Sequence, residues 1–224
     1  MNASGKESVV VLLSGGLDSA VCLWLAKEAN WHVYTLSFNY HNRLKREIES
    51  SAKLAQNAGV VEHKVIELPF LFELEDLKTK NGLPYRNFPS AYIPARNMVF
   101  YAIAVSYAES ISAKYVIGGH NNLDHKSFPD STQEFFARLN EIIKIGTLTN
   151  STEIITPLSK LDKLRILKEA IRLKVPLELT WSCYDREDIA CGRCPACRIR
   201  LQTFSRAKIK DLIPYAEETI SKSI

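Results

Sequence analysis

No stretch of this 224-residue chain stays apolar for the ~20 residues that a bilayer crossing requires. A helical membrane span is thereby excluded, and no membrane partner is expected. The first residues, Met1 to Glu7, hold no apolar signal-peptide core, so a cytoplasmic location is expected. Neither sign of charge dominates. Lys and Arg number 29, Asp and Glu 25, and the net charge is +4; so mild a balance does not point to stable nucleic-acid binding. Low-complexity tracts and repeats of fixed period are missing. The cysteines are five, and none falls between Cys22 and Cys183, which leaves the middle of the chain without a thiol. What remains, 46% hydrophobic and 24% charged residues, is an ordinary globular composition. The length suffices for one large domain with a substantial core.

Ser14-Gly15-Gly16-Leu17-Asp18-Ser19 is the most informative segment. It follows an apolar run, 9–13, and precedes residues that read as a helix. A buried strand, a turn with two glycines and two hydroxyls, and a helix start together make an anion cradle. Gly15 and Gly16 can take φ > 0 and bring amides close to a ligand. The helix N-terminus adds unpaired N–H groups and partial positive charge. Asp18 would repel a phosphate unless it holds a metal ion or a backbone turn. A Walker loop is excluded, since no lysine stands at the cradle. The hexapeptide resembles the pyrophosphate loop, SGGxDS, of the ATP pyrophosphatases, which cleave ATP between its α- and β-phosphates.

Apolar periodicity alternates between strand and helix. Strands are expected at 9–13, 32–38, 63–68, 115–117 and 153–156. Helices are expected at 19–30, 43–58, 97–111, 132–145, 162–173 and 195–209. Gly59 should stop the second helix, Ser159 and Asp162 should cap the fifth, and Pro176 should end it. Residues 73–91, with Asn81-Gly82, Pro84 and Pro89, read as a loop. The expected fold is α/β, a parallel sheet with helices on both faces. Ligands of such sheets bind beyond the carboxyl ends of the strands, where segments 14–19, 40–43 and 118–130 should converge. Strand order is not readable from the sequence.

Cys183, Cys191, Cys194 and Cys197 form two overlapping Cys-x-x-Cys steps after a cysteine upstream. Four thiolates suit tetrahedral Zn²⁺; an iron–sulfur cluster uses the same ligands. Arg186, Arg193, Arg198 and Arg200 stand close enough in sequence to offset the negative charge of such a site. Cys22 reads as a buried free thiol. The chain divides into an α/β nucleotide-binding part, 1–175, and a helical zinc-binding segment with four cysteines, 176–224, packed on the same domain.

Beyond the loop, Tyr92-x-Pro94-Ala95-Arg96-Asn97, Gly119-x-Asn121-x-x-Asp124, Phe128-Pro129-Asp130 and the Cys191-Gly192-x-Cys194-x-x-Cys197-x-x-Arg200 run resemble the 7-cyano-7-deazaguanine synthase family. The resemblance covers nearly the whole chain. It departs at 40–44, where Tyr40, Arg43 and Glu47 fit the family pattern but His41 and Leu44 do not, and at Ser131-Thr132. Membership implies a pyrophosphate-loop fold and an ATP-dependent ligase acting in queuosine or archaeosine tRNA modification. There the carboxylate of 7-carboxy-7-deazaguanine is adenylated, ammonia displaces AMP, and a second adenylation gives the nitrile.

The resemblance also implies roles. Ser14, Gly15, Gly16, Leu17, Asp18 and Ser19 would hold ATP and its Mg²⁺, with backbone groups of Leu13, Ser37 and Phe38 at the adenine. Arg96, Asn97, Asn121, Asp124 and Asp130 would meet the substrate, and Asp18, Arg96 and Lys160 would take part in catalysis. His120 and His125 fall on no hallmark position, and His32, His41 and His63 read as surface residues. A homodimer is left open. The competing readings are a tRNA sulfur transferase or another amide-forming adenylating ligase of the same superfamily, and a non-catalytic nucleotide- or RNA-binding protein.

Overall fold

The computed structural model describes residues 6–40, 44–71, 73 and 92–216. The loop expected at 73–91, apart from Glu73, lies outside the described residues, as do His41 and Arg43. Five strands, β1 (Ser8–Leu12), β2 (His32–Asn39), β3 (Glu62–Glu67), β4 (Tyr115–Ile117) and β5 (Glu153–Ile155), form one sheet in the order β3-β2-β1-β4-β5. All four pairings are parallel. The helices are α1 (Leu17–Glu28), α2 (Lys45–Ala58), α3 (Arg96–Ser110), α4 (Asp124–Ser127), α5 (Gln133–Gly146), α6 (Lys163–Arg172) and α7 (Pro195–Ala207). No described helix is long and apolar enough to cross a membrane.

Strand β1 reads as an unbroken apolar run because both its faces are covered. Val9, Val10 and Val11 are all fully buried. Val9 and Val11 share one core with Cys22 and Leu23 of α1, Leu54 of α2, Ile166 of α6 and Phe204 of α7. Val10 faces the other core, with Tyr101 and Ala104 of α3 and Phe136 and Ile143 of α5. Every long helix expected from periodicity is present, within two residues at each end. Gly59 ends α2 in the left-handed conformation, φ 59°, and the Asp162 side chain caps α6 by accepting from the Arg165 amide at 2.8 Å.

Four local expectations need correction. Helix α6 ends at Arg172, and Lys174 turns left-handed (φ 56°) before Pro176 is reached. Lys208 does the same for α7 (φ 58°), so that helix stops at Ala207. Of the two glycines in the first loop only Gly15 takes positive φ (86°); Gly16 is extended at −83° and serves as the N-cap position of α1. His63 is half-buried rather than a surface residue, with Nδ1 2.8 Å from the Thr35 hydroxyl, and burial holds its pKa down.

The chain order places β1 beside β4, where the direction of winding reverses. That is the switch point at which parallel sheets open a crevice. Gly118, just past β4, is dictated by its neighbours: an added Cβ would stand 1.6 Å from the Tyr101 hydroxyl oxygen. That hydroxyl is buried with no hydrogen-bond partner. Gly118→Ala should therefore cost about 2–3 kcal/mol through overpacking, and Tyr101→Phe in the same chain should restore part of it; urea unfolding of the parent and the two variants measures both effects. His120 follows, packed against the Tyr101 and Phe136 rings with centroids at 5.8 and 5.0 Å. Burial, then the charges of Arg96 and His125, lower its pKa to about 4. An unfolded imidazole binds its proton near pH 6.5, so between about 6.5 and 4 the unfolded chain holds the extra proton and acidification erodes stability. The loss should reach at most ~3 kcal/mol, because the ring also lines a cleft. His120→Gln should flatten that part of the stability–pH curve; an unchanged slope would assign the effect to other groups.

Candidate active site

The first loop folds on its own hydroxyls. The Ser14 amide donates to Ser19 Oγ at 3.1 Å, the two serine hydroxyls lie 3.0 Å apart, and the Gly16 amide donates to Ser14 Oγ at 3.3 Å. Ser19 Oγ in turn donates to the Gly16 carbonyl at 3.0 Å. Gly15 is demanded by the fold: a Cβ there would lie 2.4 Å from the Glu47 carbonyl oxygen, and its own carbonyl accepts the Trp181 amide at 2.9 Å. Gly16 is not demanded by the fold. A Cβ would meet only Ser14 Oγ at 3.5 Å and the Trp181 carbonyl at 3.6 Å, so its bareness keeps the space above the loop clear. With the N-terminus of α1 behind it, this loop can receive an anion.

The loop opens into a cleft of about 600 Å³ at the switch point. Ser14, Gly16, Asp18 and Ser19 form one wall, Phe38, Tyr40, Arg96 and Phe100 another, and Gly119, Asp124 and Lys163 a third. Trp181, Tyr184 and Ile199 from the cysteine-rich segment also line it. Phe38 and Phe100 stack with centroids 4.2 Å apart, giving the cleft a flat apolar side. Arg96 lies beside that side, its guanidinium 5.6 and 5.9 Å from the Tyr40 and Phe100 rings. Its Nε is buried and unpartnered.

The expected site residues divide into those facing the cleft and those supporting it. Leu13, Leu17, Asn97 and Asp124 face it with the residues named above. Ser37 does not: its hydroxyl donates to the Leu13 carbonyl, tying β2 to the end of β1. Asn121, only 1% exposed, donates its side-chain amide to Asp18 Oδ2 at 2.7 Å, and its backbone amide donates to Asp124 Oδ2 at 3.0 Å. Asp130 is buried and accepts the Asn97 backbone amide at 2.9 Å, while the Asn97 side chain donates to the Asp130 carbonyl at 3.1 Å. Asn121 and Asp130 thus hold other site residues in place. Burial raises the Asp124 pKa against the opposing pull of the Asn121 amide, and the Asp18 charge raises it further.

Lys160 is exposed and off the cleft wall. Lys163, three residues later, is the lysine that reaches the loop, with Nζ 2.8 Å from Asp18 Oδ2. The signal for it was present as the capped start of a long helix, but which lysine points inward depends on the strand order.

The four clustered cysteines are all buried, with their sulfurs within 4.8 Å of one another. A tetrahedral metal with bonds of ~2.3 Å sets its sulfurs about 3.8 Å apart, and Cys191 Sγ lies 4.0 Å from Cys197 Sγ. Amides converge on the sulfurs: Cys191 and Asp185 on Cys183, Cys194 on Cys191, Cys197 on Cys194. Such donors stabilise thiolates, and the set fits a metal ion. Two of the four arginines expected to offset it have carboxylate partners of their own. Buried Arg200 pairs with Asp211 at 2.7 and 3.0 Å and donates to the Thr180 hydroxyl, while Arg186 pairs with Asp188. Cys22 is buried as expected, its pKa raised by burial and then by Asp18.

A family model described as queuosine biosynthesis protein QueC matches residues 8–208. The 7-cyano-7-deazaguanine synthase of Thermosynechococcus vestitus is 40% identical over 224 residues, covering 94% of this chain and 96% of that protein. The protein of the same name from Oceanobacillus iheyensis is 40% identical, covering 95% and 99%. Among solved structures, NMN synthetase from Francisella tularensis superposes with TM-score 0.56 at 18% identity, over 99% of this chain and 83% of that one. A 4-thiouridine synthetase solved with RNA and bound ATP gives 0.50 at 23%, over 75% and 41%. These two likenesses show a shared fold. The family match and the close relatives go further: the chain belongs to the QueC family of 7-cyano-7-deazaguanine synthases.

Proposed function

We propose that this chain uses ATP and ammonia to convert 7-carboxy-7-deazaguanine into 7-cyano-7-deazaguanine, for queuosine or archaeosine modification of tRNA. The observation that carries the reading is the anion-receiving loop 14–19 opening onto the same cleft as Arg96 and Asp124, in a chain of this family.

A carboxylate is a poor electrophile, and its oxygen leaves badly. Attack of that oxygen on the ATP α-phosphate expels pyrophosphate and leaves an acyl adenylate; ammonia then displaces AMP to give the amide. The amide oxygen then attacks the α-phosphate of a second ATP and expels a second pyrophosphate, and loss of AMP together with the two amide protons yields the nitrile. The protein's work is to place the reactants and to neutralise moving phosphate charge. The loop amides and the Ser14 and Ser19 hydroxyls face the leaving pyrophosphate. Arg96, with its spare N–H, takes the substrate carboxylate or a phosphate. The Phe38–Phe100 side receives a flat ring, and Asp124 accepts from the N–H edge of the base, as carboxylates do with amine donors. Asp18 and the serine hydroxyls are hard oxygen donors suited to Mg²⁺, which would supply charge neutralisation on the phosphates. Among the described residues no thiol lines the cleft, so sulfur transfer has no support there.

The cysteine set is read as a structural Zn²⁺ site, in a segment, 176–224, that packs on the ATP-binding part, 1–175; Phe204 entering the core around β1 supports that packing.

Incubation with ATP, Mg²⁺, ammonium and 7-carboxy-7-deazaguanine should release AMP and pyrophosphate and form the nitrile, followed by mass spectrometry. Asp18→Ala should cut that turnover by at least ~100-fold while keeping the fold and the metal at the four cysteines. AMP release that needs tRNA and a sulfur donor would refute the assignment. Elemental analysis of anaerobically purified protein should find one zinc per chain, lost in Cys194→Ser together with thermal stability; stoichiometric iron with visible absorption would overturn the zinc reading.

A further inference from the structure

An acid inside an anion-receiving loop needs a counter-charge. Lys163 supplies it here: its ammonium lies 2.8 Å from Asp18 Oδ2, the same oxygen that accepts the Asn121 amide at 2.7 Å. Both Asp18 and Lys163 line the cleft, and neither is sealed, with 15% and 29% of their side-chain surface exposed. Helix α6 does not depend on this pair for its start, because Asp162 caps it through the Arg165 amide. The lysine's charge sits on a flexible stem with rotatable donors. Asp18 Oδ2 already accepts two donors, so a divalent cation approaching this carboxylate would meet the ammonium as a like charge. Asp124, on the same cleft, is a second carboxylate that feels the ammonium; a phosphate filling the loop would compete with both carboxylates for it.

We infer that Lys163 is an exchangeable counter-ion: it neutralises Asp18 while the loop is empty, then yields Asp18 to the divalent cation that accompanies a nucleotide and moves its ammonium to the phosphate oxygens. The inference rests on the nucleotide reading above and adds a second cation to it. Binding of metal and of nucleotide become coupled, since each favours the arrangement that the other needs.

Two titrations test it on the full-length, metal-loaded protein. Free Mn²⁺ is titrated by electron paramagnetic resonance, and the Mg²⁺ complex of α,β-methylene-ATP by calorimetry. Lys163→Met should bind free Mn²⁺ about tenfold more tightly than the parent and the nucleotide complex about tenfold more weakly. Lys163→Gln should do the same and serves if the first variant misfolds. If the parent binds the nucleotide but the variants leave Mn²⁺ affinity unchanged or lower, Lys163 is no counter-ion to Asp18. If nucleotide affinity is unchanged, its ammonium does not reach the phosphates. A parent protein that binds no nucleotide would instead sink the ATP reading itself.

Discussion

The absence of a side chain at Gly15 sets the geometry of everything around it. A left-handed turn there lets the Glu47 carbonyl of α2 approach to a position that a Cβ would contest at 2.4 Å. The same residue accepts the Trp181 amide from the cysteine-rich segment. Three parts of the chain therefore meet on one backbone unit. Its position fixes where α1 begins, hence where Asp18 points, hence where Asn121 and Lys163 find their partners. A second close approach, Gly119 against the Ser19 amide, where a Cβ would lie at 3.0 Å, holds the loop from the β4 side.

Around that fixed loop the protein separates two electrostatic jobs. The cleft keeps polar groups that are held but not saturated, Arg96 above all, next to a flat aromatic side. The cysteine segment pairs its buried cation within itself. Arg200, a cation buried to 5% exposure, directs its donors to Asp211, Thr180 and Ser182. A buried charge is tolerable only when paired and hydrogen-bonded in this way. The effect is to fasten α7 to the segment that follows it and to the extended run before the cysteines, keeping Trp181 and Tyr184 against the cleft.

Much of the architecture was legible because it rests on local chemistry. Apolar runs gave the strands and helices, Gly59 and Asp162 gave two of their ends, and the Ser14–Ser19 string gave the loop. The errors lie where distant segments meet. Asn121, Asp124 and Asp130 are alike expected to meet the substrate, yet Asn121 donates to Asp18 and Asp130 accepts from Asn97. Which of them faces the cleft depends on β4 lying beside β1, and strand order leaves no local trace. Lys160 and Lys163 stand three residues apart, and only the finished fold distinguishes the inward one. The left-handed turns at Lys174 and Lys208 are invisible for another reason: lysine carries no preference for that conformation, so packing imposes it.

The hydrogen bond between Gly15 and Trp181 also has a bearing on how the molecule is made. A ribosome releases the first strand and helix long before it reaches Trp181, and early domains fold as they emerge. The loop is closed on one side by the Trp181 amide, so a nascent chain cannot complete it until that residue has emerged. A truncated or half-made product would carry the hexapeptide without the frame that shapes it. Competence thus requires a chain made at least as far as Trp181.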